Sequence, residues 1–244
     1  MITGIISKSQ NSFVLDRQIL DSVLIANECL DGRLKAGIPG VLCKLDVEKV
    51  FDHVSWDFLM YMLQCSGFSE KWKKWILFYI SIVRFSILIN GSPKDFFGNS
   101  RGLCQGDPLS LLLFAIVMEA LSCLLDGAIL VGHISSFTIG TKPNTTLMVA
   151  HLLFVDDALI FCDTSTSQIE YLREILSSFE AVSGLHINLA KLELVLVGNV
   201  SNMGELVALL GCRQSSLPMT YLGLPLGAKF KDRVIQNSIL ERME

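Results

Sequence analysis

Three short stretches of this chain carry residue types suited to handling phosphates. Residues 44–52 read Lys-Leu-Asp-Val-Glu-Lys-Val-Phe-Asp, an apolar run that delivers Asp46 at its end. Residues 154–157 read Phe-Val-Asp-Asp, which places Asp156 and Asp157 side by side between two apolar runs. Residues 101–108 read Arg-Gly-Leu-Cys-Gln-Gly-Asp-Pro, a glycine-containing turn that opens a helix. Mg²⁺ prefers carboxylate oxygens, water and substrate phosphates. Two such ions about 4 Å apart can clamp the attacking and leaving oxygens of a phosphoryl transfer. That chemistry needs acidic residues at the ends of neighbouring strands, and Asp46 with Asp156 and Asp157 would supply them. Backbone N–H groups around Gly106, at a helix start, would suit an anionic ligand. Taken singly, each stretch has a plainer reading. Adjacent aspartates stabilise turns, Asp46 can cap a helix, and residues 105–108 can be an ordinary helix start. Residue types and spacing reach a metal-dependent phosphoryl-transfer site and go no further.

The elements needed to position these residues are legible. Residues 40–45 form a β-like run ending at Asp46, while residues 148–154 and 158–161 flank the aspartate pair as a hairpin. The two units must lie side by side for the carboxylates to meet. Apolar spacing predicts a helix over 18–30. Ser55 caps a helix through Gln64, stopped by Gly67, and Ser69 opens another through Ile80. Residues 84–89 and 94–97 form a hairpin about Asn90-Gly91, a pair that tolerates positive φ. Asp107 and Pro108 start a helix running to Leu125. Ser167 and Glu170 form a capping box for a helix ending at Gly184. A strand over 192–197, a helix over 203–210 and a β-like segment over 221–227 with a turn at Pro225 follow. Hairpin-paired strands with helices packed on them make an α+β fold, without an internal boundary between independent domains.

The bulk properties narrow the classes. The chain has 244 residues, 51% hydrophobic, and a net charge of −4. A stand-alone nucleic-acid module is usually basic, because phosphate contacts supply most of its affinity. No two of the seven cysteines form a C-x-x-C pair, and most sit in apolar runs. They read as reduced core residues of an intracellular protein, nuclear or cytoplasmic, rather than zinc ligands. Mean hydropathy is +0.49. The most apolar helix, 109–125, contains Glu119, which suits a buried core helix with Glu119 at an edge or facing solvent better than a bilayer span.

Read in order, the motifs resemble the reverse transcriptase domain of plant non-LTR (LINE-type) retrotransposons. Residues 9–19 resemble the fingers segment, 44–52 motif A, 102–109 motif B and 154–157 motif C. Residues 183–191 resemble motif D, and 217–227 the following motif with the primer grip. The resemblance implies a right-hand polymerase palm with partial fingers. Residues 1–40 would be the remaining fingers, 41–230 the palm with a fingers insertion, and 231–244 the start of a thumb. It implies RNA-directed DNA polymerisation by a two-metal mechanism, with two Mg²⁺ ions, Mn²⁺ as substitute, an RNA template, a DNA primer and dNTPs as partners, and no membrane. Asp46 and Asp156 would be the main metal ligands and Asp157 a third carboxylate. Lys191 would protonate the pyrophosphate leaving group, and Phe51 would exclude a 2′-hydroxyl. Gln105 and Gly106 would contact the incoming nucleotide and template, and Tyr221, Leu222 and Gly223 would form the primer grip.

Several positions depart from the family. Val155 stands where Ala is usual, Cys104 where Arg is usual, and Leu111 where Pro is usual; Asp16, Val50, His186 and Leu192 also differ. The resemblance further implies that the family's basic fingers segment would precede Met1, and that the thumb and endonuclease lie beyond this chain. The alternative expectation is a catalytically inactive remnant that keeps the palm fold.

Overall fold

A computed structural model describes residues 4–12, 14, 17–139 and 147–228. Helix α1 (Ile19–Ala36) leads into strand β1 (Gly40–Glu48), the helix pair α2 (Trp56–Cys65) and α3 (Glu70–Ser81), and the hairpin β2 (Arg84–Ile89) and β3 (Ser92–Gly98). The long helix α4 (Pro108–Leu130) is followed by β4 (Phe137–Ile139), β5 (Leu147–Val149), β6 (His151–Phe154) and β7 (Asp157–Cys162). Then come α5 (Thr166–Ser183), β8 (His186–Ile187), β9 (Glu193–Val197), α6 (Met203–Leu210), β10 (Arg213–Ser216), β11 (Met219–Tyr221) and β12 (Leu224–Leu226). The expected thumb start at 231–244, and Asp16, lie outside the described residues.

Local chemistry accounts for most boundaries. The Asp107 carboxylate accepts from Ser110 N at 3.0 Å, and Pro108 occupies the first turn of α4. The Ser55 hydroxyl accepts from Phe58 N to start α2. Asn90 and Gly91 take φ of 51° and 79°, as their hairpin requires. Other expectations need correction. The capping box at Ser167 does not form: α5 starts at Thr166, and the Ser167 hydroxyl meets that of Ser165 at 2.8 Å. The apolar run 148–154 is divided at Ala150, because β5 pairs with β4 while β6 pairs with β7. The last hairpin turns at Leu222 and Gly223, both at positive φ, and Pro225 sits within β12. α1 continues past its expected end at Leu30 to Ala36, where Gly37 at φ 66° closes it.

The central sheet has the order β10-β9-β1-β7-β6, with β8 pairing the far end of β1. It is antiparallel except where β10 runs parallel to β9 at one edge. Strand periodicity sends alternate residues to opposite faces. Val41, Cys43, Leu45 and Val47 of β1 join the core formed with α2, α4 and α5, while Leu42 joins a second core with α1 and the β11–β12 hairpin. On that second face the apolar pattern stops: Lys44 and Asp46 replace hydrophobic residues. This break makes one end of the sheet polar.

α4 is the one described helix long and apolar enough to cross a membrane, and two-thirds of its most apolar window is buried within the protein. Glu119 is interior rather than at an edge: it is 5% exposed and accepts from the Ser7 backbone N at 2.9 Å. Ser7, Ser122 and His151 continue the chain of hydrogen bonds. Burial pushes the Glu119 carboxyl up, and the bonds from Ser7 oppose that shift. All seven cysteines are free. Cys29, Cys43 and Cys162 are buried, but Cys65 and Cys123 are exposed, so the expected core placement holds for only some of them.

Candidate active site

The register of β1 and β7 sets Asp46 directly opposite Asp157. Opposed residues of antiparallel strands point to the same face. Asp156 occupies the turn between β6 and β7, and its carbonyl accepts from Val47 N at 3.3 Å. Burial pushes the Asp156 carboxyl above the ordinary carboxylate value, and the charge on Asp46 adds to the rise. Asp157 is raised by burial and then by Asp156 and Asp46, while Lys44 and Lys191 pull it back. The Lys191 ammonium lies 3.2 and 3.3 Å from the two Asp46 oxygens. Three negative charges are thus crowded at one strand end and partly neutralised by two lysines. Among the described residues no three His, Cys, Asp or Glu side chains are gathered in a geometry that holds a metal ion. Asp156 and Asp157, with raised proton affinity, and Asp46 offer hard carboxylate oxygens, the donor type that suits a divalent cation, and the Lys191 ammonium stands beside Asp46.

Phe51 and Gln105 meet elsewhere, on the wall of an open cavity of about 670 Å³ that they share with Arg101, Cys104, Phe85 and Phe97. The half-buried Phe51 ring stands 5.6 Å from that of Phe114. Gly106 lies in the adjoining exposed turn at φ 88°. Residues 101–103 are stitched to the segment after Asp46: Gly102 N donates to Val54 O at 2.8 Å, Leu103 N donates to Phe51 O, and Trp56 Nε1 donates to Gly102 O at 2.7 Å. A Cβ at Gly102 would stand 2.7 Å from Asp52 O, so only glycine permits this approach.

The turn carrying Asp156 has a support that sequence reasoning missed. Residues 9–11 lie beside β6: Leu153 N donates to Ser9 O at 2.8 Å, and Asn11 N donates to Leu153 O at 3.0 Å. The Ser12 hydroxyl accepts from Val155 N at 3.0 Å and donates to Gln10 Oε1 at 2.7 Å. Gln10, Asn11 and Ser12 are all buried. A run of polar residues must pair when buried, and that was the available signal. The expected primer grip is divided. Tyr221 is fully buried in the second core, where burial pushes its phenol far up. Leu222 and Gly223 form the turn itself. Lys44 ties β1 to this hairpin by donating to Thr220 O at 3.2 Å.

A helix-backed sheet whose central strand and adjacent hairpin tip bring aspartates together has the architecture of a polymerase palm. The chain matches the family described as reverse transcriptase (RNA-dependent DNA polymerase) over residues 2–226, and it belongs to that family. It is 24% identical over 229 residues to the transposon TX1 uncharacterized 149 kDa protein of Xenopus laevis, covering 94% of this chain and 17% of that protein. It is 28% identical over 131 residues to the Pol polyprotein of the retrotransposable element R2 of Popillia japonica, covering 54% of this chain and 20% of the polyprotein. The chain thus spans about a fifth of these relatives' length. Telomerase from Candida albicans shares the fold, with a TM-score of 0.60 at 15% identity over 86% of this chain and 33% of that one.

Proposed function

We propose that this chain is the polymerase core of a retrotransposon reverse transcriptase and adds dNTPs to a DNA primer along an RNA template. The observation that carries the reading is the placement of Asp46 opposite Asp157, with Asp156 in the adjoining turn. Asp46 and Asp156 would hold two Mg²⁺ ions, or Mn²⁺, with Asp157 as a third carboxylate. Such ions, when bound, supply Lewis acidity at the attacking and leaving oxygens. Lys191 would leave Asp46 and turn its ammonium to the negative charge developing on pyrophosphate. Phe51 would close the cavity against a 2′-hydroxyl, Gln105 and Gly106 would contact nucleotide and template, and Leu222 and Gly223 would hold the primer. In this reading residues 1–40 are fingers, 41–230 are palm with a fingers insertion, and the lineage is LINE-type and plant, on the motifs quoted above. Its free cysteines suit an intracellular setting.

A specific observation favours a second reading, an inactive remnant. Val155, a β-branched residue, takes φ 55° beside Asp156, a conformation such side chains rarely adopt. The test is extension of a labelled DNA primer on RNA by the purified chain with Mg²⁺ and dNTPs. Asp46→Asn and Asp156→Asn should each lower extension at least about 100-fold, as loss of a metal ligand does. Extension untouched by either variant would overturn the proposal. Silence relieved by Val155→Ala would establish the remnant.

A further inference from the structure

Away from the carboxylate cluster, a cavity of about 250 Å³ opens where α1, the end of α4, β5 and β6 meet. Ile25, Ile129 and Leu152 contribute to its apolar wall, and Lys8, Asp126 and His151 supply polar groups. His151 is 2% exposed, yet its Nδ1 has no hydrogen-bond partner among the described residues. The hydroxyl of Ser136, on the same wall, is likewise buried and unpaired. Buried polar atoms ordinarily have partners, so two orphans lining one cavity call for something from outside the chain.

Hydrogen-bond direction fixes what kind of atom Nδ1 is. A hydroxyl has one proton to give. Ser7 Oγ gives its proton to the Glu119 carboxylate at 3.2 Å. Ser122 Oγ, 3.0 Å from Ser7 Oγ, therefore donates to it. With that proton spent, Ser122 accepts from His151 Nε2, 2.6 Å away. The imidazole is thus the Nε2–H tautomer, and Nδ1 is a bare acceptor. Burial, which lowers the His151 pKa, keeps the ring in that neutral form. Asp126 Oδ1 lies 3.9 Å from Nδ1. Two acceptors do not bond each other, whereas a nitrogen carrying several protons can meet both.

We propose that this cavity binds a small molecule with an apolar body and a primary ammonium head, the ammonium bridging His151 Nδ1 and Asp126. An ammonium has three protons to give and accepts none. Its charge pairs with Asp126, whose side chain is 62% exposed and stands at the rim. Exposed Lys8 disfavours a second positive charge on the body. An apolar cavity of about 150 Å³ holds benzene, so this one accommodates a ring with a two-carbon arm. A few polar groups set in an apolar wall are the usual make-up of a small-molecule site. The inference is independent of polymerisation, since Asp126 and His151 take no part in the carboxylate cluster.

The test is isothermal titration of the purified chain with 2-phenylethylammonium, and with phenylacetate as an anion of like size. The ammonium should bind saturably, in the millimolar range or tighter, and phenylacetate at least about tenfold more weakly. Asp126→Asn should weaken the ammonium at least about fivefold. Ile25→Trp, which fills the cavity, should abolish binding, and Lys8→Gln should leave it unchanged or tighten it. None of these three residues is buried, so circular dichroism should be unchanged. Imidazole ¹⁵N resonances, assigned to His151 by their loss in His151→Gln, should report the Nε2–H tautomer, and Nδ1 should shift as 2-phenylethylammonium is added. Four results would each overturn the proposal: binding that does not saturate by about 10 mM, phenylacetate bound as tightly as the ammonium, affinity indifferent to Asp126→Asn and Ile25→Trp, or an Nδ1–H imidazole at His151.

Discussion

At the scale of single residues, the carboxylates at the strand end work against the fold. Asp156 is raised by burial and by its neighbour Asp46, so its ionised form is disfavoured in the folded chain. A folded-state pKa above the unfolded one gives a contribution that is fully present below the unfolded value, about 3.9, and is lost as pH rises through the folded value. Asp156→Asn should therefore raise the melting temperature at pH 7 in metal-free buffer, by about 1–2 °C because the group is partly solvated. The gain should vanish near pH 3, and an unchanged or lower melting temperature at pH 7 would contradict the account. The placement of the aspartates was legible in the sequence, because strand ends and a hairpin turn are local signals, whereas Lys191 came only from the resemblance. Ser12 was not, because its bond to Val155 N spans 143 residues of sequence and follows only from how β6 meets residues 9–12. The burial of Tyr221 was hidden for a related reason: it depends on α1 and the sheet enclosing the last hairpin, which no local pattern reveals.

At the scale of elements, two junctions set the geometry. The first joins the segment after β1 to the approach to α4 through Gly102. Its φ of 86° and the Asp52 carbonyl beside it leave no room for a side chain. Gly102→Ala should destabilise the chain by about 2–4 kcal/mol in urea titration. Gly106→Ala, which meets nothing within 4 Å, should carry only the strain of its positive φ, about 1 kcal/mol. Equal costs would contradict the packing described. The second junction docks α4 on β6, where His151 Nε2 and the Ser122 hydroxyl lie 2.6 Å apart. Burial lowers the His151 pKa, so stability from the neutral ring is present above the unfolded value near 6.5 and lost as pH falls below it. His151→Gln should flatten the fall in melting temperature between pH 7 and pH 5; an identical slope would place the acid sensitivity elsewhere. Helix starts at Ser55 and Asp107 and the Asn90-Gly91 turn were readable because the deciding groups are adjacent. The division of the 148–154 run was not, because it depends on pairing with β4, a short strand with little signature of its own.

At the scale of the whole molecule, charge is separated by region: a basic, aromatic α3 and hairpin stand apart from an acidic strand end in a chain that is acidic overall. An average composition conceals that division, and a net charge of −4 says little about any one region. Family membership rests on the match over residues 2–226, and the fold brings three of the motifs together, since residues of 44–52, 154–157 and 183–191 meet along β1. The claim at the centre is that these strand-end carboxylates bind divalent cations. Manganese binding followed by electron paramagnetic resonance, at pH 7 with a dNTP present, tests it most directly. Asp46→Asn and Asp156→Asn should each weaken Mn²⁺ binding at least about tenfold. Exposed Asp57→Asn should leave it unchanged, and Lys191→Ala should tighten it by freeing Asp46. Mn²⁺ bound equally by the wild-type chain and by the Asp46→Asn/Asp156→Asn double variant would contradict the account.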